Sequence, residues 1–314
     1  MKSMKLRSGT SFLKAIFPFL GLLGVILFFQ IYTDGLVLTA SNLTAVFNEG
    51  FYIMIGACGI CFIISMGNLD FSIGAVMGFS CAIAAMTSKA ISPYASPVFA
   101  MLTGFGFGLI NGLIHTKLHV GALIGTMSTQ MIISGLLVLM LSGSSLSAPL
   151  TMLRWNSVEL KISVLVAVVI LGWIVFNFTA YGKSCRAIGS SMETARQSGV
   201  SVDRVKIASF AVMGALAGML GFFSLIRTGT STVLTGSDLY INVLCAALLG
   251  GLPLMGGAAA TFRSVVIGSA TMAFLTNGMI LMGLSTYDQQ LVKGIIFLIT
   301  IAISFDRRNL RVIK

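Results

Sequence analysis

Ten apolar runs, most of them near twenty residues long, follow one another along this chain of 314 residues. They lie near 15–33, 48–66, 71–88, 95–114, 120–141, 161–179, 207–226, 239–257, 262–283 and 288–305. Only 9% of the residues are charged. A soluble domain carries about 25%, so water is not the solvent for most of this surface. In lipid the backbone must satisfy its own hydrogen bonds, which leaves helix bundles or closed barrels. Barrel strands alternate over segments of about 10 residues. The runs here are continuous and close to the roughly 20 residues that a spanning helix needs. The sequence therefore predicts an all-α membrane protein of about ten transmembrane helices, with broken or re-entrant segments, in a single domain over 1–314.

The net charge is +11. The basic residues sit in loops and tails, as in the cytoplasmic segments of membrane proteins, so nucleic acid is not the expected partner. An even number of spans puts both termini on one side. Both are expected in the cytoplasm, with Lys2, Lys5, Arg7, Lys14, Lys117, Lys183, Arg186, Arg196, Arg204, Lys206, Arg263, Arg307, Arg308, Arg311 and Lys314. Lys89, Arg154, Lys161, Arg227 and Lys293 lie outside or border it. The expected location is the cell inner membrane, with loop 142–160 outside and 180–206 inside. The basic start and the apolar run after it resemble a signal peptide, but that run is long and more spans follow. It reads as an uncleaved first span.

Glycines recur at helical spacing. Gly104, Gly108 and Gly112 share one face, as do Gly214 and Gly218, which predicts close helix contact. Two other glycine-bearing stretches interrupt the apolar pattern. In the first, 65–74, Asp70 lies between spans that are barely separated. An ionisable group at membrane depth is a candidate transport residue, with Asn68 and Ser72 beside it. Asp is also a favoured N-cap, so Asp70 equally reads as the cap of the third span. In the second, 249–257, Gly250, Gly251, Gly256 and Gly257 flank Pro253. That pattern fits a pathway-lining break or a buried tight turn.

The segment 180–206 carries capping signals on the cytoplasmic side. Ser190 reads as an N-cap with Glu193 three residues on, as in a capping box. A short helix from Ser191 to Ser198 would end at Gly199. A second cap at Ser201 or Asp203 would open the next span. Small residues such as Gly189, Ala195 and Gly199 would let a partner come close.

Signals of chemistry are sparse. Cys58 and Cys61 form a C-x-x-C pair inside an apolar run without His, Asp or a second pair nearby, and read as small packing residues. Gly182, Lys183 and Ser184 resemble the end of a phosphate-binding loop, but Asn177 stands where that motif needs glycine, and a membrane helix precedes it. His115 and His119 lack acidic neighbours, so no metal site is expected. No nucleophile–base–acid set is visible, and the chain is not expected to be an enzyme.

Several motifs in order resemble the permease subunits of ribose-type sugar ATP-binding-cassette importers, a family that includes autoinducer-2 permeases. Residues 67–74, GNLDFSIG, resemble that family's GGIDLSVG. Residues 120–126, VGALIGT, resemble its V-x-x-F-I-A-T. Tyr181 to Lys183, Ala187 to Gly189, Ala195 with Arg196, and Ser198 to Val200 resemble FGR…AIGGNEEAARLSGI. Asn277 with Gly278, Gly283 to Ser285, and Tyr287 resemble NNGLNLLGVSSY. The matches run from about residue 42 to 308. Two departures stand out. The acids of the family's GYELDAIAA fall on Tyr240 and Asn242, and its GGTSLxGGxG becomes GGLPLMGGA at 250–258.

The resemblance implies a permease working with a second permease copy or paralogue, a cytoplasmic ATP-binding subunit and an extracytoplasmic solute-binding protein. ATP and magnesium would belong to the ATPase, and this chain would hold no cofactor. Ala187, Ile188, Gly189, Ser190, Glu193, Ala195, Ser198 and Gly199 would form the coupling helix. Asn68, Asp70, Ser72, Gly250, Gly251, Gly256 and Gly257 would border the translocation pathway. The expected solute is a small sugar such as ribose. The alternatives are autoinducer-2 or another solute, an ion-coupled secondary transporter built on Asp70, and a membrane scaffold or receptor.

Overall fold

The computed structural model describes the backbone of residues 2–304. The basic residues Arg307, Arg308, Arg311 and Lys314 lie outside the described residues. In chain order the helices are α1 (Lys2–Tyr32), α2 (Ala40–Ser65), α3 (Ile73–Ala90), α4 (Ser96–Lys117) and α5 (Ala122–Leu141). Next come a two-residue strand β1 (Leu146–Ser147), α6 (Leu150–Leu153), α7 (Val158–Phe178), α8 (Ala180–Ser190) and α9 (Met192–Gln197). The chain continues through α10 (Val202–Thr228), β2 (Thr230–Ser231), α11 (Leu239–Leu249), α12 (Arg263–Leu281) and α13 (Thr286–Ser304). Seven of these helices, α2, α3, α4, α5, α7, α10 and α12, are long and apolar enough to cross a membrane.

Helices α2 and α10 form the centre and are buried over most of their length. Around them the surface is apolar: Met131 is 76% exposed, Leu139 75% and Leu298 70%. Such a surface is stable in lipid, not water. The glycine stripes meet each other. Gly104 and Gly108 of α4 lie directly against Gly214, Gly218 and Ala211 of α10, and a methyl group on Gly104 would come within 2.7 Å of the Gly218 nitrogen. Backbones approach this closely only without side chains between them. Helix α7 is the opposite case. Only Lys161 and Phe176 are buried. Lys161 Nζ donates to Asn48 Oδ1 of α2 at 2.6 Å, and Phe176 packs on Phe62 and Phe262.

Among the described residues, three of the ten expected runs, 15–33, 239–257 and 288–305, are not among those seven helices, and the second differs most plainly. The run 239–257 was read as a full crossing, yet α11 stops at Leu249. Its 11 residues rise about 16 Å, roughly half the hydrocarbon core. The rest of the crossing is a run of hydrogen-bonded turns. After α10, β2 pairs with β1, and residues 232–238 then run down the face of α3. The carbonyls of Thr235 and Gly236 press on Gly78 and Gly74. Gly78 lies roughly 18 Å along α3 from its far end at Ala90. Irregular backbone survives there because it bonds to itself: Thr232 N donates to Thr235 Oγ1 at 3.0 Å and Leu239 N to Gly236 O at 3.1 Å. The glycines that let the chain lie flat are far apart in sequence, which is why composition did not show the dip.

Lys117, Lys183, Arg186, Arg196, Arg204, Lys206 and Arg263 gather at the end of the bundle that carries α8 and α9. Lys89, Arg154 and Arg227 mark the opposite end. A cysteine label near residue 195 should therefore react only from the cytoplasm, and one near residue 148 only from outside. Labelling of 195 by an impermeant reagent in intact cells would reverse the orientation.

Candidate functional site

The α8–α9 pair is built by local capping. Thr179, extended, accepts from Gly182 N through its side chain and starts α8. One face of α8 carries the buried Gly182, Cys185 and Ile188. Ser191 adopts φ −164° and ends the helix. Its hydroxyl accepts from Thr194 N at 3.3 Å and caps α9. The expected cap was Ser190, one residue earlier. Ser190 instead closes α8, and Glu193 is an exposed first-turn acid of α9. Two adjacent serines are equal as caps, and the backbone angle decides between them. At the far end Gly199 takes φ +83°, and Val200 N donates to Ala195 O while Gly199 N donates to Arg196 O. This is a Schellman closure.

Two of the small residues of this segment, Gly189 and Ala195, do not face outward as expected. Ala195 is 3% exposed. A methyl group on Gly189 would strike the Ser65 carbonyl oxygen and lie 2.5 Å from Gly257 N. Gly189 and Ala195 are small to fit their own chain. The surface offered outward is Ala187, Met192, Glu193, Thr194, Arg196, Gln197, Ser198 and Gly199, and Ile188 is buried.

Both interrupted stretches end at this segment. Gly257 N donates to Ser65 O, the orphan carbonyl at the end of α2, at 2.9 Å. Ser190 Oγ accepts from Ala258 N at 2.9 Å. Gly251 follows α11 with φ +88°, and Gly256 and Gly257 take φ +67° and +92°, where an L side chain is strained. Gly250 packs on the Ser264 backbone, and Gly256 on Ile64, Ser65 and Gly67. Of the two readings of 249–257, the contacts match a tight turn seated on α2.

Asp70 is 2% exposed. Its Oδ1 accepts from Ser72 N at 2.8 Å and Ser72 Oγ at 2.7 Å, and Asn111 Nδ2 of α4 donates to Ser72 Oγ at 2.8 Å. The residue that caps α3 by position is Ser72, not Asp70. Asp70 closes an Asx turn just before it. Phe71 N reaches Thr126 Oγ1 of α5 at 3.2 Å, so this loop ties α3, α4 and α5 together. Asn68 Nδ2 and Asn111 Oδ1 are buried without a partner among the described residues. Asp70→Asn keeps the acceptor oxygen and should leave membrane abundance unchanged. Asp70→Ala strands the Ser72 amide and should cost about 1–3 kcal/mol, read as reduced yield of folded protein. Uptake by the Asn variant tests the charge itself: full uptake would assign Asp70 to loop structure alone.

Other singled-out residues take structural places. The thiols of Cys58 and Cys61 are buried in the core. His115 Nδ1 meets Val120 O at 2.8 Å and Nε2 meets Lys206 Nζ at 3.1 Å, closing the α4–α5 turn. The dip at 232–238 was missed. Its signal was the polar run from Thr228 to Asp238 between two apolar segments. At its foot Tyr240 packs on Phe71, with centroids 5.8 Å apart, and Asn242 is buried with Oδ1 unpartnered among the described residues. These are the two positions that depart from the family's acids.

These parts make a multi-pass helical bundle with a discontinuous crossing and a capped helix pair seated on its interruptions. The chain belongs to the family described as branched-chain amino acid transport system / permease component, matched over residues 42–301. It is 27% identical over 303 residues to an autoinducer 2 import system permease protein of Yersinia enterocolitica, covering 93% of this chain and 81% of that one. It is 25% identical over 276 residues to the ribose import permease protein of Escherichia coli K12, covering 84% and 86%. No solved structure matches the chain. The expected ribose-type permease family and all-α permease fold stand.

Proposed function

We propose that this chain is the membrane-spanning permease subunit of an ATP-driven importer for a small polar solute, most simply a monosaccharide such as ribose or a chemically similar molecule. It sits in the cell inner membrane with both termini in the cytoplasm. The observation that carries this reading is α8–α9, a capped pair with an outward surface of Met192, Glu193, Arg196 and Gln197 at the basic end. An ATPase carrying ATP and magnesium docks there and supplies the energy, and this chain holds no cofactor. A solute-binding protein delivers from the other side.

The solute class follows the relatives. Those above are import permeases for autoinducer 2 and ribose by name. The family description names branched-chain amino acids, a broader heading. Tyr240 and Asn242 in place of two acids suit a neutral, hydroxyl-rich solute. A second permease subunit, identical or paralogous, meets the face of α5 where Ser128, Ser134 and Gly135 are exposed at membrane depth. Lipid alone would leave those hydroxyls poorly solvated. The ion-coupled alternative finds no support among the relatives.

The test is reconstitution of the chain in liposomes with its ATPase and binding protein. ATP-dependent uptake of one labelled sugar from a panel including ribose is expected. Uptake driven by a proton or sodium gradient without ATP would overturn the reading.

A further inference from the structure

Three segments distant in sequence converge within hydrogen-bonding distance at the end of α8. The first is Gly189–Ser190 itself. The second is the end of α2, Ser65 to Gly67. The third is the turn from Met255 to Ala258. Their contacts involve backbone at almost every point. Gly257 N donates to Ser65 O at 2.9 Å, and Ala258 N to Ser190 Oγ at 2.9 Å. A methyl group on Gly67 would come 3.1 Å from Met255 O. Gly189 leaves no room for a side chain between α8 and the other two. Directly beyond Ser65 runs the Asp70–Ser72 turn that opens α3. Directly beyond Ala258 runs α12, and just before the turn ends α11, the helical half of the discontinuous crossing.

Helix α8 has one other backbone-packed contact, Gly182 against Phe176 at the end of α7. Helix α7 leads into α8 through extended Thr179 and is itself buried only at Lys161 and Phe176. Toward α10 the polar links are side-chain tips, such as Lys206 Nζ to Met192 Sδ at 3.7 Å and Tyr181 OH to Ser209 Oγ at 2.6 Å. The path from α8–α9 to the two interruptions of the bundle therefore runs through the backbone-packed three-way junction. Coupling between sites travels through contiguous packed and hydrogen-bonded contacts and rigid elements.

We propose that Gly189, Ser190 and the 255–258 turn are positioning residues that form a rigid joint. The joint moves as one body and passes displacement of the ATPase-docking pair to both interruptions of the bundle at once. This rests on the reading of α8–α9 as the docking pair. The two interruptions, Ser65–Gly74 and Leu249–Gly257, are then shifted by a single element rather than by separate signals.

The experiment uses the complete reconstituted importer. A Ser190→Cys and Ala258→Cys pair, at neighbouring positions joined by the 2.9 Å Ala258 N to Ser190 Oγ hydrogen bond, is oxidised to a disulfide. The described native cysteines are all buried, so the new pair reacts selectively. Because the joint moves as one body, the cross-linked importer should keep at least about half its uptake. A loss of tenfold or more on oxidation, reversed by reductant, would show that the joint opens during the cycle and would overturn the proposal. The second arm breaks the joint. Gly189→Ala should leave ATPase capture intact while solute taken up per ATP hydrolysed falls at least fivefold. If that variant is not recovered, Ser190→Ala replaces it, with a fall of about twofold expected. Unchanged uptake per ATP would sink the joint alone. Failure of the unmodified chain to retain the ATPase would instead sink the docking reading beneath it.

Discussion

Gly214→Leu should remove the folded protein from the membrane almost completely. Position 214 faces the Gly104 carbonyl oxygen, and even a methyl group there would lie 2.9 Å from the Gly108 backbone. Four side-chain carbons would wedge α4 from α10, the most extensive helix contact in the bundle. Separated helices in lipid have no hydrophobic force to bring them back, because acyl chains are as apolar as leucine. Overpacking of this kind costs about 3 kcal/mol or more, a large share of a total stability of roughly 5–15 kcal/mol. The readout is the monodisperse yield after detergent extraction. Gly106→Leu on the same helix is the control, since no atom lies within 4 Å of a methyl group there, and it should behave as wild type. Wild-type yield for Gly214→Leu would disprove the seam.

The second large effect concerns α9. Met192→Asp combined with Arg196→Glu should reduce ATPase capture about a hundredfold while leaving the permease folded. The two residues are four apart on the outward face, and Met192 is 43% exposed. An apolar anchor beside an arginine is the usual composition of an interface hot spot, and losing both removes about 3 kcal/mol of binding. Substitutions at Gly189 or Ala195 do not test docking, because those positions hold the segment to its own bundle. Leu150→Asp in the 142–160 loop is the control and should leave capture unchanged. Normal co-purification of the ATPase with the double variant would remove α9 from the interface.

How far the fold was legible depends on the range of the interaction. The apolar runs and the Gly104–Gly112 and Gly214–Gly218 stripes were readable because both follow from local spacing. Gly199 was readable as a helix stop for the same reason. Ser190 against Ser191 was not, since identical caps are separated only by backbone angle. Gly189 was misread because its smallness answers to Ser65 and Gly257, residues remote in sequence. The half-helical crossing escaped because its support, Gly74 against Gly236, is also long-range. Asp70 reads from the sequence as a transport residue or the cap of α3; the cap position is Ser72, and Asp70 accepts from Ser72 two residues along rather than from the first amides of α3.

The attachment of α7 has a consequence for how this sequence can drift. Lys161 and Phe176 are the buried anchors of the helix; of the fourteen positions between them eight are exposed, while Val164, Leu165, Val168, Val169 and Val175 pack against the core. Selection on the exposed positions is for partitioning, not shape, so Leu, Ile, Val and Phe can replace one another there with little effect. Two neighbours constrain the freedom: Asn48, which needs a cation at 161, and Phe262, which crowds Gly172. Among related chains α7 should thus be the most divergent span by letter while remaining the most uniform by hydropathy.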